Sequence, residues 1–241
     1  MPQIHPSAVV DPGARLADDV QVGPHAFIDA DVTIGPGCRI LHGAHIGRWS
    51  RLGANNTLYP GAVVGHDPQD VGYKGEEAWT EIGDGNIIRE GVTIHRGNRP
   101  GTHTRVGDHN FFMVNSHIAH NCLIGNHVIL VNGALLAGHV EVGDRAIISG
   151  NCQVHQFVRI GPFAMMRGGS GAAKDVPPSA STTGSTGCAP LTLSVSGATA
   201  LTPAASAPSR KPSKPSSAPI SPSLKPCNGS PTIPGAPPTS A

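Results

Sequence analysis

Every sixth residue of this chain is apolar over most of its length. From Ile4 to Met166 that spacing picks out 28 positions, and 25 of them are aliphatic, Phe or Met, in a chain only 38% hydrophobic overall. A period of six fits neither an amphipathic helix nor a long alternating strand. It fits short strands and turns wound around a prism, with the aliphatic anchor pointing inward. Two other positions keep the same clock. Glycine recurs one residue after the anchor, as at Gly23, Gly35, Gly47, Gly53, Gly107 and Gly125, and reads as a residue that eases the corner. Four residues after the anchor the side chain is usually small, as at Ala26, Cys38, Ala44, Ser50, Ala134 and Cys152. The expected fold class is all-β, a parallel β-helix of hexapeptide repeats with three hexads per coil and about nine coils.

The clock misses at Asp70, Glu76 and Pro100, inside polar runs rich in turn formers. These runs predict loops leaving the helix near residues 66–81 and 97–105. A solenoid tends to gather insertions on its binding face. The first loop carries Gln69, Asp70, Tyr73 and Lys74 together and is expected to touch a ligand, whereas the second has the makings of a plain decoration.

The chain changes character near residue 178. Residues 179–241 contain no aromatic, histidine or acidic residue and hold twelve of the 23 prolines. Such a stretch buries too little apolar surface to offset its backbone entropy and is expected to be a disordered Ser/Pro/Ala-rich tail. The formal net charge of +1 becomes −3 for residues 1–178, with thirteen basic and sixteen acidic groups, which argues against nucleic-acid binding by bulk charge. No apolar run has the length of a membrane span, and Met1-Pro-Gln-Ile-His5 lacks the regions of a signal peptide. A cytoplasmic protein without stable membrane insertion is expected.

Three of the five cysteines, Cys38, Cys122 and Cys152, occupy the small-residue position, where a free thiol behaves as a small hydrophobe; Cys188 and Cys227 lie in the tail. No pair has metal-like or disulfide-like spacing. The histidines His117, His120, His139 and His155 all avoid the inward anchor positions. His120 and His139 are one coil plus one residue apart, which predicts adjacent turns of one edge. A file of imidazoles suits general-base chemistry and substrate hydrogen bonding near neutral pH. The alternatives are a zinc site or plain solvent exposure of the same residues.

The runs Gln69-Asp-Val-Gly-Tyr73, Val92-Thr-Ile-His-Arg-Gly97, Asn115-Ser-His-Ile-Ala-His-Asn-Cys122, Leu136-Ala-Gly-His-Val140, Val154-His-Gln-Phe157 and Asp175-Val-Pro-Pro178 resemble, in order, the UDP-N-acetylglucosamine O-acyltransferase family. The resemblance covers about residues 1–178 and implies a left-handed prism. It also implies transfer of an (R)-3-hydroxyacyl group from acyl carrier protein to the 3-hydroxyl of UDP-N-acetylglucosamine. That reaction is the first step of lipid A biosynthesis, and the resemblance implies a homotrimer that uses no metal or cofactor. His120 matches the general base and the Gly138 N–H the oxyanion donor. Asp70, His117, His139, His155 and Gln156 match substrate-contacting positions, and Gly168 falls where the family measures acyl length. The alternatives are a γ-type carbonic anhydrase holding zinc with His117, His120 and His139, and a non-catalytic trimeric scaffold.

Three departures from the family pattern stand out. Asn121 follows the matched base where Asp is common. Gly72 stands at the family's loop lysine, with Lys74 two residues on as a replacement. Past Pro178 the Ser/Pro/Ala tail replaces the family's small helical domain, which helps bind the nucleotide. Its prolines are too frequent for helices. The abrupt switch suggests a shifted reading frame, so another frame past codon 178 should encode a basic amphipathic helical sequence. Impaired activity is the expectation for the chain as written.

Overall fold

A computed structural model of the chain describes residues 1–183 and 187–190. Strands of two to four residues alternate with tight turns and close three flat faces around one core. The first face runs from Gln3–Ile4 to Met165–Met166, the second from Val9–Val10 to Gly171–Ala172, and the third from Arg15–Leu16 to Arg159–Ile160. From Gln3 to Ala172 each strand pairs in parallel with the strand of the next coil, and among the described residues the second face stacks nine. The result is a left-handed parallel β-helix. Among the described residues no helix is long and apolar enough to cross a membrane.

The register follows the clock. Partners lie 18 residues apart where the coil is plain, as for Gln3 with Gln21 and Ile129 with Ile147. From Val22 to Met166 the anchors of the clock are buried, and so are the small residues between them. Ile4 is 43% exposed, because it closes the open end of the prism and has no coil beyond it.

The recurrent glycine has a different cause from the one its position suggests. A Cβ at Gly35 would lie 2.7 Å from the Gly53 carbonyl, one at Gly83 would lie 2.8 Å from the Gly107 oxygen, and one at Gly107 would lie 2.8 Å from the Gly125 oxygen. These glycines stack coil on coil and are excluded from having side chains by backbone contact. The left-handed corner falls two residues later, and there, among the described residues, fourteen non-glycine residues adopt positive φ, His25, Asn55, Asn121 and His139 among them.

Inside the prism the three clock cysteines each donate S–H to a carbonyl of the facing corner, Cys122 to Ala137 at 3.2 Å and Cys152 to Arg167 at 3.0 Å. Burial pushes the Cys122 thiol up to about 12, so it stays protonated and serves as a packing group. Where the coils lengthen, a buried file of Asn56, Asn86 and Asn110 takes over the small-residue position. Asn86 donates to the Asn56 side-chain oxygen at 3.0 Å, and Asn110 accepts from the Val128 N–H at 2.7 Å.

The pairing interval widens to thirty residues between Thr57 and Ile87 and to twenty-four between Ile87 and Phe111. Those extra lengths are the two loops. The chain rejoins the third face at Trp79 and His103, ahead of the expected loop ends at 81 and 105. Past residue 178, Ala180–Thr183 extends the first face with Ser181 opposite Met165, and it pairs antiparallel with Gly187–Pro190. The rest of the expected disordered tail, residues 184–186 and 191–241, lies outside the described residues.

Candidate functional site

Both loops leave the prism at one edge, where the second face turns into the third. The first connects Val63–His66 to Trp79–Ile82, and the second connects Thr93–His95 to His103–Val106 one coil later. On the coils that follow, the same edge carries His120, then Gly138 and His139, then Gln156 and Phe157. Main-chain bonds fix this stacking: His139 N–H donates to the His120 carbonyl at 3.0 Å, and Phe157 N–H to the Gly138 carbonyl at 3.2 Å.

The His120 ring lies directly over Gly138. A Cβ there would come within 2.5 Å of the ring Cε1 and 2.7 Å of Nε2, so only glycine fits. His120 Nδ1 is 2.9 Å from Asn121 Oδ1. The His139 ring meets His120 edge-on at 5.3 Å and stacks on Phe157 at 4.7 Å. On the adjoining face His117 Nδ1 is 2.6 Å from Thr93 Oγ1, and its ring packs edge-on against buried His95 at 4.9 Å. A groove of about 450 Å³ runs along this edge, lined by His117, His120, Leu135, Gly138, Gln156 and Gln69 of the first loop.

The electrostatics favour the neutral form of three imidazoles, His95, His117 and His139. Burial, and then the proximity of His120, hold the pKa values of His117 and His139 below the ordinary histidine value. Burial, with His117 adding to it, lowers His95 to about 4. Asp70 is held below the usual carboxylate range by the Gly72 N–H and then by the Asn98 amide. A groove with the His120 imidazole beside the Gly138 main-chain N–H and an apolar Leu135 is equipped to take a proton from a hydroxyl and to steady an oxyanion.

The structure brings His117, His120, His139, Gly138 and Gln156 together, and Asp70 joins them through Asn98 Nδ2, which donates to Asp70 Oδ2 at 2.7 Å. His155 is exposed on the same edge, its Nδ1 3.1 Å from the Gln156 carbonyl. Lys74 is exposed on the first loop, where its main-chain N–H donates to Glu76. Gly168 sits apart, at the edge where the first face turns into the second. Among the described residues no group of three or more His, Cys, Asp or Glu side chains is placed to hold a metal ion.

Four supporting residues escaped the sequence reading. Buried Arg96 donates to Tyr73 Oη at 2.9 Å and to the Gly65 carbonyl at 3.0 Å, pairs with Asp67, and so ties the first loop down. Thr93 meets His117, and Thr104 Oγ1 accepts the Asn121 N–H at 2.7 Å. Asn98 joins the second loop to the other two segments. Thr93 and Arg96 lay inside the run Val92-Thr-Ile-His-Arg-Gly97, but neither a motif nor a periodic signal marks Asn98 or Thr104.

Residues 31–66 and 103–138 match the bacterial transferase hexapeptide model of six repeats. The chain is 53% identical over 178 residues to the acyl-acyl-carrier-protein–UDP-N-acetylglucosamine O-acyltransferase of Stutzerimonas stutzeri, a match covering 73% of this chain and 69% of that protein. It is 55% identical over the same length and coverage to the enzyme of that name from Pseudomonas aeruginosa. Among solved structures, LpxA from Acinetobacter baumannii superimposes with a TM-score of 0.72 at 44% identity, covering 75% of this chain and 71% of that one. The Arabidopsis UDP-N-acetylglucosamine acyltransferase does so at 0.66 and 40%, covering 76% and 71%.

Proposed function

The chain belongs to the acyl-acyl-carrier-protein–UDP-N-acetylglucosamine O-acyltransferase family, and from that premise we propose that the edge groove transfers an (R)-3-hydroxyacyl group from acyl carrier protein to the 3-hydroxyl of UDP-N-acetylglucosamine, in the cytoplasm. The observation that carries this reading is His120 seated on Gly138 in the groove, with Asn121 behind its Nδ1.

In this reading His120 Nε2 takes the sugar hydroxyl proton as the oxygen attacks the thioester carbonyl. The Gly138 N–H donates to the oxyanion of the tetrahedral intermediate, which collapses with expulsion of the carrier's thiolate. The imidazolium returns its proton to that thiolate. His117, His139, His155, Gln156 and Asp70 contact the substrates, with Lys74 standing in for the loop lysine and Gly168 marking the acyl end. Residues 1–178 supply the catalytic prism, and Ala180–Thr183 continues its first face rather than standing apart from it.

A homotrimer with sites between subunits fits the apolar outward residues. On the first face Ile87, Phe111, Ile129, Ile147 and Met165 stand in one register, with Ile87 41% and Met165 38% exposed. Such a stripe suits burial against a second copy. The carbonic anhydrase alternative is not favoured, since the relatives above are acyltransferases.

The test is turnover of UDP-N-acetylglucosamine with 3-hydroxyacyl carrier protein by this chain and by His120→Ala. The variant should lose about 10²–10⁴-fold in kcat with unchanged folding. Equal rates in both would defeat the assignment, whereas product from neither, with a trimer of normal mass, would point to the replaced C-terminal domain.

A further inference from the structure

Building on that reading, we propose that Asn98 is a positioning residue for His120: its main-chain N–H selects the orientation of the Asn121 amide and thereby the ring tautomer that leaves Nε2 free. A carboxylate behind the imidazole would present equivalent oxygens. An amide does not, because Oδ1 only accepts and Nδ2 only donates. Turned the wrong way, Asn121 would offer N–H to His120 Nδ1, drive the ring proton to Nε2, and leave no lone pair in the groove.

The second loop breaks that symmetry. The Asn98 N–H is a donor without alternative, and it lies 3.1 Å from Asn121 Oδ1. With the oxygen held there, His120 Nδ1 at 2.9 Å must carry the hydrogen. Nε2, the nitrogen nearest Gly138 after Cε1, is then the bare acceptor.

Both partners are anchored independently. Asn121 has left-handed φ at 61°, and its own N–H donates to Thr104 Oγ1 at 2.7 Å. The Asn98 side chain donates to Asp70 Oδ2 at 2.7 Å, and the preceding Gly97 N–H reaches the Trp79 carbonyl at 3.3 Å. One residue therefore joins the first loop, the second loop and the base. The other charged and titratable groups facing His120 are His117, His139, His95 and Asp70, with Arg99 close to Asp70 and His139.

The ring nitrogens can be read directly. Nitrogen-15 NMR of the full chain, with His120 assigned by its absence in His120→Gln, should show the proton on Nδ1 at a pH where the ring is neutral. A proton on Nε2 would overturn the proposal, and this arm needs no substrate, so it stands even if the assigned reaction fails. Asn98→Pro deletes the N–H; it should shift the proton toward Nε2 and lower kcat about tenfold or more. In Asn121→Asp the wrong end of the amide no longer exists, so Asn98→Pro/Asn121→Asp should turn over within about twofold of Asn121→Asp alone. An equal loss in both backgrounds, or no loss in either, would also overturn it. Asn98→Ala keeps the N–H and frees only Asp70, and it should raise KM for the nucleotide sugar while sparing kcat.

Discussion

Two edges of the prism solve the same corner with different residues. Where the first face turns into the second, from the second coil on, the left-handed position falls to Gly43, Gly61, Gly91, Gly133 and Gly169, with His25, Asn115 and Asn151 at the other coils. Where the second face turns into the third on the coils without loops, it falls to Asp31, Trp49, Asn121, His139 and Phe157, and the positive-φ glycines of that edge, Gly65, Gly75 and Gly101, belong to the two excursions. A side chain held at positive φ costs roughly 1 kcal/mol, which glycine avoids. The fold demands the corner at both edges. The second edge keeps the strain because it uses the side chains: Trp49 lies 4.9 Å from the Arg96 guanidinium, Asn121 backs His120, and His139 and Phe157 stack.

The largest expected break in this comparison is at Gly138. Gly138→Ala drives a methyl into the His120 ring and should cut kcat by about 10²–10³-fold. Gly61→Ala, at an open corner with φ of +70°, should cost about 1 kcal/mol of stability in urea titration and leave kcat alone. If Gly61→Ala damages turnover as much as Gly138→Ala, the two edges are not functionally distinct.

Acid lability should also localise to the site's side of the prism. His95 titrates at about 4 in the folded chain and near 6.5 when unfolded, so the unfolded chain takes up its proton first. Stability from this group is intact above about pH 6.5 and falls by up to about 3 kcal/mol as pH drops toward 4. His95→Gln should flatten that limb in urea titrations at pH 7 and pH 4.5; an unchanged slope would place the acid sensitivity elsewhere.

The smallest effect sharpens the strain argument. His139→Gly relieves a φ of 60° and should gain no more than about 1 kcal/mol while losing turnover. His127→Gly, at the edge where the third face turns into the first, relieves a φ of 55° and should shift stability by a similar amount with turnover intact. Thermal melts and initial rates on the two variants separate strain from use.

Much of this was legible in the chain. Anchors such as Ile28, Ile94 and Leu136 announce the prism, and the missed beats at Asp70, Glu76 and Pro100 announce both loops. The clock also predicts that His120 and His139 lie close on adjacent turns, because a separation of one coil plus one residue keeps them on one edge. The role of the recurrent glycines was misread, since a period shows where glycine recurs and not whether φ or a neighbouring backbone requires it. The second loop looked dispensable, yet it carries Asn98.

The repeating period by itself determined the fold, because only inward burial of the aliphatic anchor at a fixed interval can sustain it over so many coils. It likewise determined which edge His120 and His139 share. Tertiary structure alone decided what stands behind the base. Asn98 and Asn121 are 23 residues apart, a separation that matches no multiple of the coil. Their contact exists because an excursion that has left the repeat folds back onto the next turn, where hydrogen-bond geometry and not periodic burial selects the partner.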